Sequence, residues 1–263
     1  MSDSAYTIKP FPPFRQLVID GLEIASRKHM IHGLIEVDVT KPCQRLREIK
    51  EETGESLSFT GFIIYCCAKA VDANKHMHAY RDWRNRLILF EEVDISLGVE
   101  KRSAEGQNQV LQITIRAANR KSVREIHQEI RQAQSKSLDE TPWGRNLRWY
   151  VTVPPFIRRS LFRVANRAPH LVKKSNGTVM VTSVGMFGSG AGWGIPLPGH
   201  TLTITVGGIV SRPVVNNAHL ENREHLCLTV SFDHDIIDGA PAARFIQRFK
   251  ELVESGSGLL EEM

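Results

Sequence analysis

An alternating pattern of apolar and polar residues near the C-terminus predicts a strand that leads into a helix. Apolar residues first occupy every second position, which is the spacing of one strand face: Leu226, Leu228, Val230 and Phe232. Apolar residues then recur at helical spacing: Ala242, Phe245, Ile246, Phe249, Leu252 and Val253. Pro241 suits the first turn of this helix. The polar residues between the two runs therefore lie in a strand-to-helix turn.

Two ionisable residues in this turn, His234 and Asp238, are candidates for chemistry. Imidazole exchanges a proton near neutral pH, and a loop at the rim of a sheet can reach a substrate. The ordinary alternative is a structural or surface histidine. His234, Asp235 and Asp238 could also offer metal ligands, but no second His or Cys lies nearby at zinc spacing. No metal site is therefore expected.

The same reading along the chain predicts alternating strands and helices. Strands are predicted at 30–40, 87–90, 93–99, 110–116 and 201–210. Helices are predicted at 44–52, at 58–71 with Thr60 as the N-terminal signal, and at 122–133 with a capping box formed by Ser122 and Glu125. His76 and His78 lie two positions apart and are expected to diverge onto the surface.

Residues 135–176 form a basic segment with a second amphipathic pattern. Ile157, Leu161, Val164 and Ala168 would share one helical face, and Arg159, Arg163 and Arg167 another. This pattern predicts a helix that packs its apolar face on the core and holds its arginines in water. A helix on a membrane surface is the alternative.

Length and composition favour one domain over residues 1–263. The chain has 263 residues, of which 41% are hydrophobic, and no low-complexity linker divides it. Residues 1–14 are expected to form an extended N-terminal arm. We find no signal sequence and no apolar run long enough to span a membrane, so a cytoplasmic location is expected. The four cysteines, Cys43, Cys66, Cys67 and Cys227, are expected to be reduced and structural.

The formal charge of +5 is unevenly distributed along the chain. Residues 141–220 contain nine Lys and Arg residues and no Asp or Glu, which leaves about −4 for the remainder. Such a stretch could attract phosphate groups, an acidic protein domain, an anionic lipid surface or nucleic acid, or it could be a solvated basic face. No nucleic-acid reader motif is present, so no nucleic-acid partner is expected.

Two motifs resemble the catalytic core of 2-oxoacid dehydrogenase complexes. The run 234–239, followed by 242–245 and a closing helix, resembles the His-x-x-x-Asp-Gly signature of dihydrolipoamide acyltransferases, which chloramphenicol acetyltransferase shares. Residues 177–188 are similar to that family's Phe-Thr-Ile-Ser-Asn-Leu-Gly-Met-Phe-Gly strand. Alignment on Gly185 puts Thr182, with Ser183 beside it, where the family carries the hydroxyl that stabilises the oxyanion. A hydroxyl satisfied within its strand is the ordinary alternative.

The resemblance implies a fold, a reaction and an assembly. The implied fold is α/β, an α+β two-layer sandwich in which a mixed sheet carries helices on one side, as in coenzyme A-dependent acyltransferases. His234 would be the base, Thr182 the oxyanion donor and Asp238 the orienting group, at the interface between subunits of a homotrimer. Coenzyme A or its acyl thioester would be a substrate, with cofactor-binding residues not assigned. Whether trimers build a larger assembly is left open.

The acceptor of the acyl group is also left open. No lipoyl attachment domain is recognised in this chain, so it is expected to be a free-standing core. The acceptor would then be the thiol of a lipoyl or other carrier domain supplied in trans. A small amine or alcohol is the second alternative, and a non-catalytic trimeric scaffold is the third.

Overall fold

A six-stranded mixed sheet forms the centre of the structure, a computed structural model that describes residues 6–102, 108–135, 152–185, 190–216 and 219–260. Its strands are β1 (Met30–Asp38), β4 (Ile95–Arg102), β5 (Asn108–Ile115), β6 (Val179–Ser183), β7 (Leu202–Asn216) and β8 (His219–Asp233). Their order in the sheet is β1-β8-β7-β6-β4-β5. β6 runs parallel to both of its neighbours, and the other pairs are antiparallel. The strands β2 (Tyr80–Arg81) and β3 (Leu87–Ile88) form a separate ribbon.

Seven α-helices are described, and none of them is long and apolar enough to cross a membrane. They are α1 (Pro13–Ala25), α2 (Thr40–Thr53), α3 (Phe59–Asp72), α4 (Val123–Ser135), α5 (Pro155–Asn166), α6 (Pro169–Asn176) and α7 (Gly239–Glu254). Because α1 begins at Pro13, the expected arm is shorter than predicted, and its residues 1–5 lie outside the described part of the chain.

The two faces of the sheet differ in chemistry. On one face, the alternating apolar residues of β8 pack in a single core with β4, β6 and β7 and with helices α2, α3, α4 and α7. This arrangement confirms the predicted mixed sheet with helices on one side. The intervening residues of β8 face the other way and are polar or small: Cys227, Thr229, Ser231 and Asp233. The second face therefore offers hydroxyl groups.

Local capping decides where two of the predicted helices begin. The predicted capping box of α4 is confirmed: Glu125 accepts a hydrogen bond from the Ser122 backbone N–H at 2.7 Å, and the Ser122 hydroxyl accepts one from the Glu125 N–H at 3.2 Å. For α3 the predicted N-terminal signal is wrong by two residues. The cap is the Ser58 hydroxyl, which accepts from the Gly61 N–H, and Thr60 lies inside the helix.

The prediction that α5 packs its apolar face on the core is wrong, whereas Arg163 and Arg167 are exposed as predicted. Its apolar residues Phe156, Leu161 and Val164 are exposed, whereas Arg158 is buried. The physical reason is Asp20 of α1, which is fully buried and accepts from the Arg158 guanidinium at 2.9 Å. A buried carboxylate requires a cation, so the helix turns Arg158 inward, and Arg159 reaches the same carboxylate. Residues 136–151 of the basic segment lie outside the described ranges.

Candidate active site

The turn between β8 and α7 presents His234 and Asp238 together, as predicted. His234 follows the last residue of β8, and Asp238 is the N-cap residue of α7. The Asp238 carboxylate makes no capping hydrogen bond, and its Oδ1 lies 3.6 Å from His234 Nδ1. This separation is longer than a hydrogen bond. His234 is 44% exposed and Asp238 84% exposed, so the imidazole is open to a substrate.

Backbone hydrogen bonds fix the position of His234. Its N–H donates to the carbonyl of His29 at 2.7 Å. The preceding residue, Asp233, accepts at its carbonyl from the N–H groups of Ile236 and Ile237, both at 3.0 Å. The Asp233 N–H in turn donates to the Thr201 carbonyl at 2.9 Å. The turn is thus tied to the start of β7 and to the segment before β1.

Lys28 and His29, which the sequence analysis missed, support the same turn with their side chains. Lys28 Nζ lies 2.7 Å from Asp233 Oδ2, in a pair that is largely shielded from solvent. His29 Nδ1 lies 2.9 Å from Asp235 Oδ1. These partners are 205 and 206 positions apart in the chain. No local pattern points to such contacts, because pairing of β1 with β8 is what creates them.

Thr182 lies on another part of the sheet from His234. It is half-buried near the end of β6 and pairs with Thr205 of β7, which pairs with Thr229 of β8. Strand spacings of about 4.8 Å and a rise of about 3.3 Å per residue put Thr182 and His234 on the order of 20 Å apart within one chain. The structure therefore does not bring this hydroxyl and this imidazole together in a single chain.

Exposed apolar side chains lie on the second face of the sheet, which also carries Thr182. The segment 190–199 crosses this face, and its Gly192 carbonyl accepts from the Gly208 N–H at 3.1 Å. Glycine is required at Gly207, because a Cβ there would overlap the Gly192 carbonyl oxygen. The exposed apolar residues of this face and of the crossing segment form what we call the Thr182 patch: Leu34, Val184, Trp193, Ile195 and Leu197. Residues 186–189 of the predicted motif lie outside the described ranges.

The family model for the 2-oxoacid dehydrogenases acyltransferase (catalytic domain) matches residues 3–141 and 159–261. The chain belongs to this family. The match leaves residues 142–158 unassigned, and they fall within the basic segment 135–176. The family membership confirms the resemblance carried by the two motifs.

Relatives and solved structures of this acyltransferase family agree with the fold. The dihydrolipoyllysine-residue succinyltransferase component of the 2-oxoglutarate dehydrogenase complex of Staphylococcus epidermidis is 26% identical over 247 residues, which are 92% of this chain and 51% of the relative. The chain therefore spans about half the length of this curated relative. A probable dihydrolipoamide acetyltransferase from Listeria monocytogenes has a TM-score of 0.70 at 23% identity, with 97% of each chain covered. Dihydrolipoamide acetyltransferase of Azotobacter vinelandii has a TM-score of 0.71 at 19% identity, with 98% of this chain and 96% of that chain covered.

The cysteines are unsuited to act as nucleophiles in this member of the acyltransferase family. All four are free, and Cys66, Cys67 and Cys227 are buried. Burial raises the pKa of the Cys43 thiol to about 12, and burial also raises the pKa of Cys66 and Cys67 well above the ordinary value. A protonated thiol is a weak nucleophile. These three thiols are therefore not suited to nucleophilic attack near neutral pH.

His78 is buried, so the prediction that it lies on the surface is wrong, whereas His76 is exposed as predicted. His78 Nε2 donates to the Phe90 carbonyl at 3.1 Å, and Nδ1 lies 2.9 Å from the Thr178 hydroxyl. Burial lowers the pKa of His78 to about 4. His200 is also buried, and burial lowers its pKa to about 4. Both imidazoles are neutral near pH 7 and serve packing.

These two histidines predict a loss of stability in mild acid. As the pH falls below the ordinary pKa of 6.5, the two imidazoles become protonated in the unfolded state. In the folded state they stay neutral until the pH approaches about 4. Each histidine should then reduce the free energy of unfolding by about 3 kcal/mol at the end of that window. In thermal melts between pH 7 and pH 4, the Tm of His78→Gln should fall less steeply with pH than the Tm of the parent chain. His76→Gln, the exposed control, should keep the slope of the parent chain; equal slopes for all three proteins would contradict the assignment.

Proposed function

We propose that this chain is an acyltransferase that moves an acyl group between coenzyme A and the thiol of a dihydrolipoyl group on a carrier domain of another protein. The observation that carries the proposal is the position of His234. It is open to solvent, fixed at its backbone, and placed beside Asp238 at the strand-to-helix turn of a family catalytic domain. A cytoplasmic location is part of the proposal.

The proposed reaction needs a base and an oxyanion donor. His234 takes the proton from the attacking thiol, and the thiolate adds to the carbonyl carbon of the thioester. The hydroxyl of Thr182 donates a hydrogen bond to the resulting oxyanion. The intermediate collapses as its original C–S bond breaks, and the leaving thiolate recovers the proton from the imidazolium. Asp238, whose Oδ1 lies 3.6 Å from His234 Nδ1, orients the imidazole.

Two copies of the chain must supply the two groups. A separation on the order of 20 Å within one chain is too long for a shared intermediate, since both groups must reach atoms of one substrate. A neighbouring copy that covered the Thr182 patch would bury its exposed apolar side chains and bring its own His234 to Thr182. We propose a homotrimer in which each interface holds one complete site.

The spacing of the proposed residues supports their roles. Work on the Azotobacter vinelandii enzyme concerns the role of a serine, a histidine and an asparagine in its catalytic mechanism. That serine precedes the histidine by 52 positions, as Thr182 precedes His234, and the asparagine follows by four, as Asp238 follows His234. A hydroxyl thus recurs at the same distance along the chain. Aspartate in place of asparagine adds a negative charge beside the imidazole.

Lys28 is a positioning residue in this proposal. Lys28→Met would leave the largely buried Asp233 carboxylate without its cation. We expect this change to lower the free energy of unfolding by about 2 kcal/mol. Loss of a partner from a fully buried ion pair would cost more, but Lys28 is partly exposed. Turnover should fall with it, because Asp233 holds the turn that carries His234. Lys28→Arg should retain both properties. Adding Asp233→Asn to Lys28→Met should restore stability in thermal melts, and a further loss would contradict this role.

The test of the proposed function is thioester turnover by the purified chain. Acetyl- and succinyl-coenzyme A would be offered with dihydrolipoamide, with a reduced lipoyl domain, and with small amines or alcohols as acceptors. We expect release of free coenzyme A with the dihydrolipoyl thiols. Turnover confined to amines or alcohols would favour the small-acceptor alternative. Binding of coenzyme A without turnover on any acceptor would favour the scaffold.

A further inference from the structure

Helices α5 and α6 carry a row of large apolar side chains that project into solvent. Phe156 is 72% exposed, Leu161 59%, Val164 68% and Leu171 55%. Arg163 and Arg167 are exposed between them. We call these six residues the α5–α6 surface. A group of large exposed apolar side chains on two adjacent helices is a candidate interaction site.

Polar contacts beneath α5 turn its apolar residues outward. Asp20 of α1 is fully buried and accepts from Arg158 at 2.9 Å and from Arg159 at 3.1 Å. These two ion pairs attach the inner side of the helix to α1. The usual amphipathic arrangement is thereby changed, because Arg158 faces the protein while apolar side chains face water. The exposed apolar row is thus a consequence of specific contacts.

The charge around the α5–α6 surface is positive. Residues 141–220 contain no acidic residue, so neither helix carries one. The nearest acids on neighbouring elements already face cations. Glu23 of α1 lies 3.1 Å from Arg27 and 3.8 Å from Arg163, and Glu92 lies 3.6 Å from Lys173. A partner for this surface must therefore combine negative charge with a place for apolar side chains.

We propose that the α5–α6 surface binds an anionic lipid membrane. Apolar side chains interspersed with arginines, without acids, match the lipid interface, which accepts apolar groups to a depth of about 5–10 Å and attracts cations. A two-fold contact between copies would set Arg163 and Arg167 against arginines and is disfavoured. A protein partner would need a concave surface to receive Phe156 and Val164 on the convex side of the helix. A bilayer imposes no such shape.

A groove between the two helices fits the same ligand. It has a volume of about 340 Å³, and its walls include Leu161, Ala165, Leu171 and Val172. Such walls suit a hydrocarbon chain. The N-terminal part of α5 also lies in the stretch 142–158 that the family model leaves unmatched. Of the six surface residues only Phe156 lies in that stretch. None of the six belongs to the proposed catalytic site, so the proposed role is independent of the acyl-transfer chemistry.

The test is co-sedimentation of the full chain with vesicles at low ionic strength. The vesicles would be phosphatidylcholine alone or phosphatidylcholine with about one third phosphatidylglycerol. We expect binding to the anionic vesicles and at least a tenfold loss of partitioning for Phe156→Ser/Val164→Ser and for Arg163→Gln/Arg167→Gln. The matched control is Val215→Ser/Leu220→Ser in the β7–β8 hairpin, whose side chains are 72% and 74% exposed. The control should bind like the parent chain.

Three results would overturn the proposal. The first is absence of binding to anionic vesicles by a folded chain, checked by circular dichroism. The second is equal binding by the surface variants and the parent. The third is a change in the oligomeric state of Phe156→Ser/Val164→Ser, measured by sedimentation velocity. Such a change would show that another copy of the chain covers this surface. Thioester turnover without vesicles should be the same in the variants and the parent.

Discussion

Replacing His234 with asparagine is expected to lower kcat for acyl transfer by about 10²–10⁴-fold, the usual contribution of a positioned general base. Asparagine keeps hydrogen-bonding capacity but cannot take a proton from a thiol at neutral pH. The backbone contact of residue 234 with the His29 carbonyl does not depend on the side chain, so the turn should remain folded. Steady-state thioester turnover with dihydrolipoamide measures the loss.

His76→Gln provides the matched control for His234→Asn. His76 is exposed on the short helix Lys75–His78 and lies outside the proposed site, so its replacement should leave kcat unchanged. A His234→Asn protein that is folded and within twofold of the parent would remove the imidazole from the mechanism. Asp238→Asn should have a smaller effect than His234→Asn, because the 3.6 Å contact is exposed and weakly coupled.

Replacing Thr182 with valine is expected to reduce kcat on the order of a hundredfold, with little change in KM. Valine keeps the branched shape that packs in β6 but removes the hydroxyl, and one lost oxyanion donor in other enzymes costs about that much. The oxyanion exists only after the thiol attacks, so substrate binding does not depend on this hydrogen bond. Single-turnover and steady-state rates would both report the loss.

Thr182→Ser and Ser183→Ala complete this comparison. Serine at position 182 restores the hydroxyl and should return kcat to near the parent value, since Thr182 is only half-buried and tolerates the lost methyl group. Successive residues of a strand point to opposite faces, so Ser183 should not replace Thr182 as the donor. A large loss in Ser183→Ala with normal turnover in Thr182→Val would move the oxyanion role to Ser183.

The parts of the fold that follow from local periodicity could be read from the sequence. Apolar residues at every second position predict the strand that ends before His234, and apolar residues at helical spacing predict the helix that follows Asp238. The structure has both elements. The capping box of α4 could also be predicted from the sequence, because its two partners lie three residues apart. The residues of the turn could thus be named in advance.

Features that depend on distant partners could not be read in this way. The orientation of α5 follows from Asp20, more than a hundred residues away, and the apolar periodicity alone favoured the opposite face. His78 is buried because Phe90 and Thr178 close around it, although its local sequence is polar. Lys28 reaches Asp233 only because β1 pairs with β8. Tertiary contacts override local preference at each of these sites.

The most direct measurement of the two-chain site is complementation between inactive variants. A chain with His234→Asn still carries Thr182, and a chain with Thr182→Val still carries His234. Unfolding and refolding the two proteins together in equal amounts would form mixed trimers, in which about one interface in four receives both intact residues. We predict recovery of about a quarter of the parent turnover. Turnover no higher than that of the separately refolded variants would contradict a site shared between neighbouring chains.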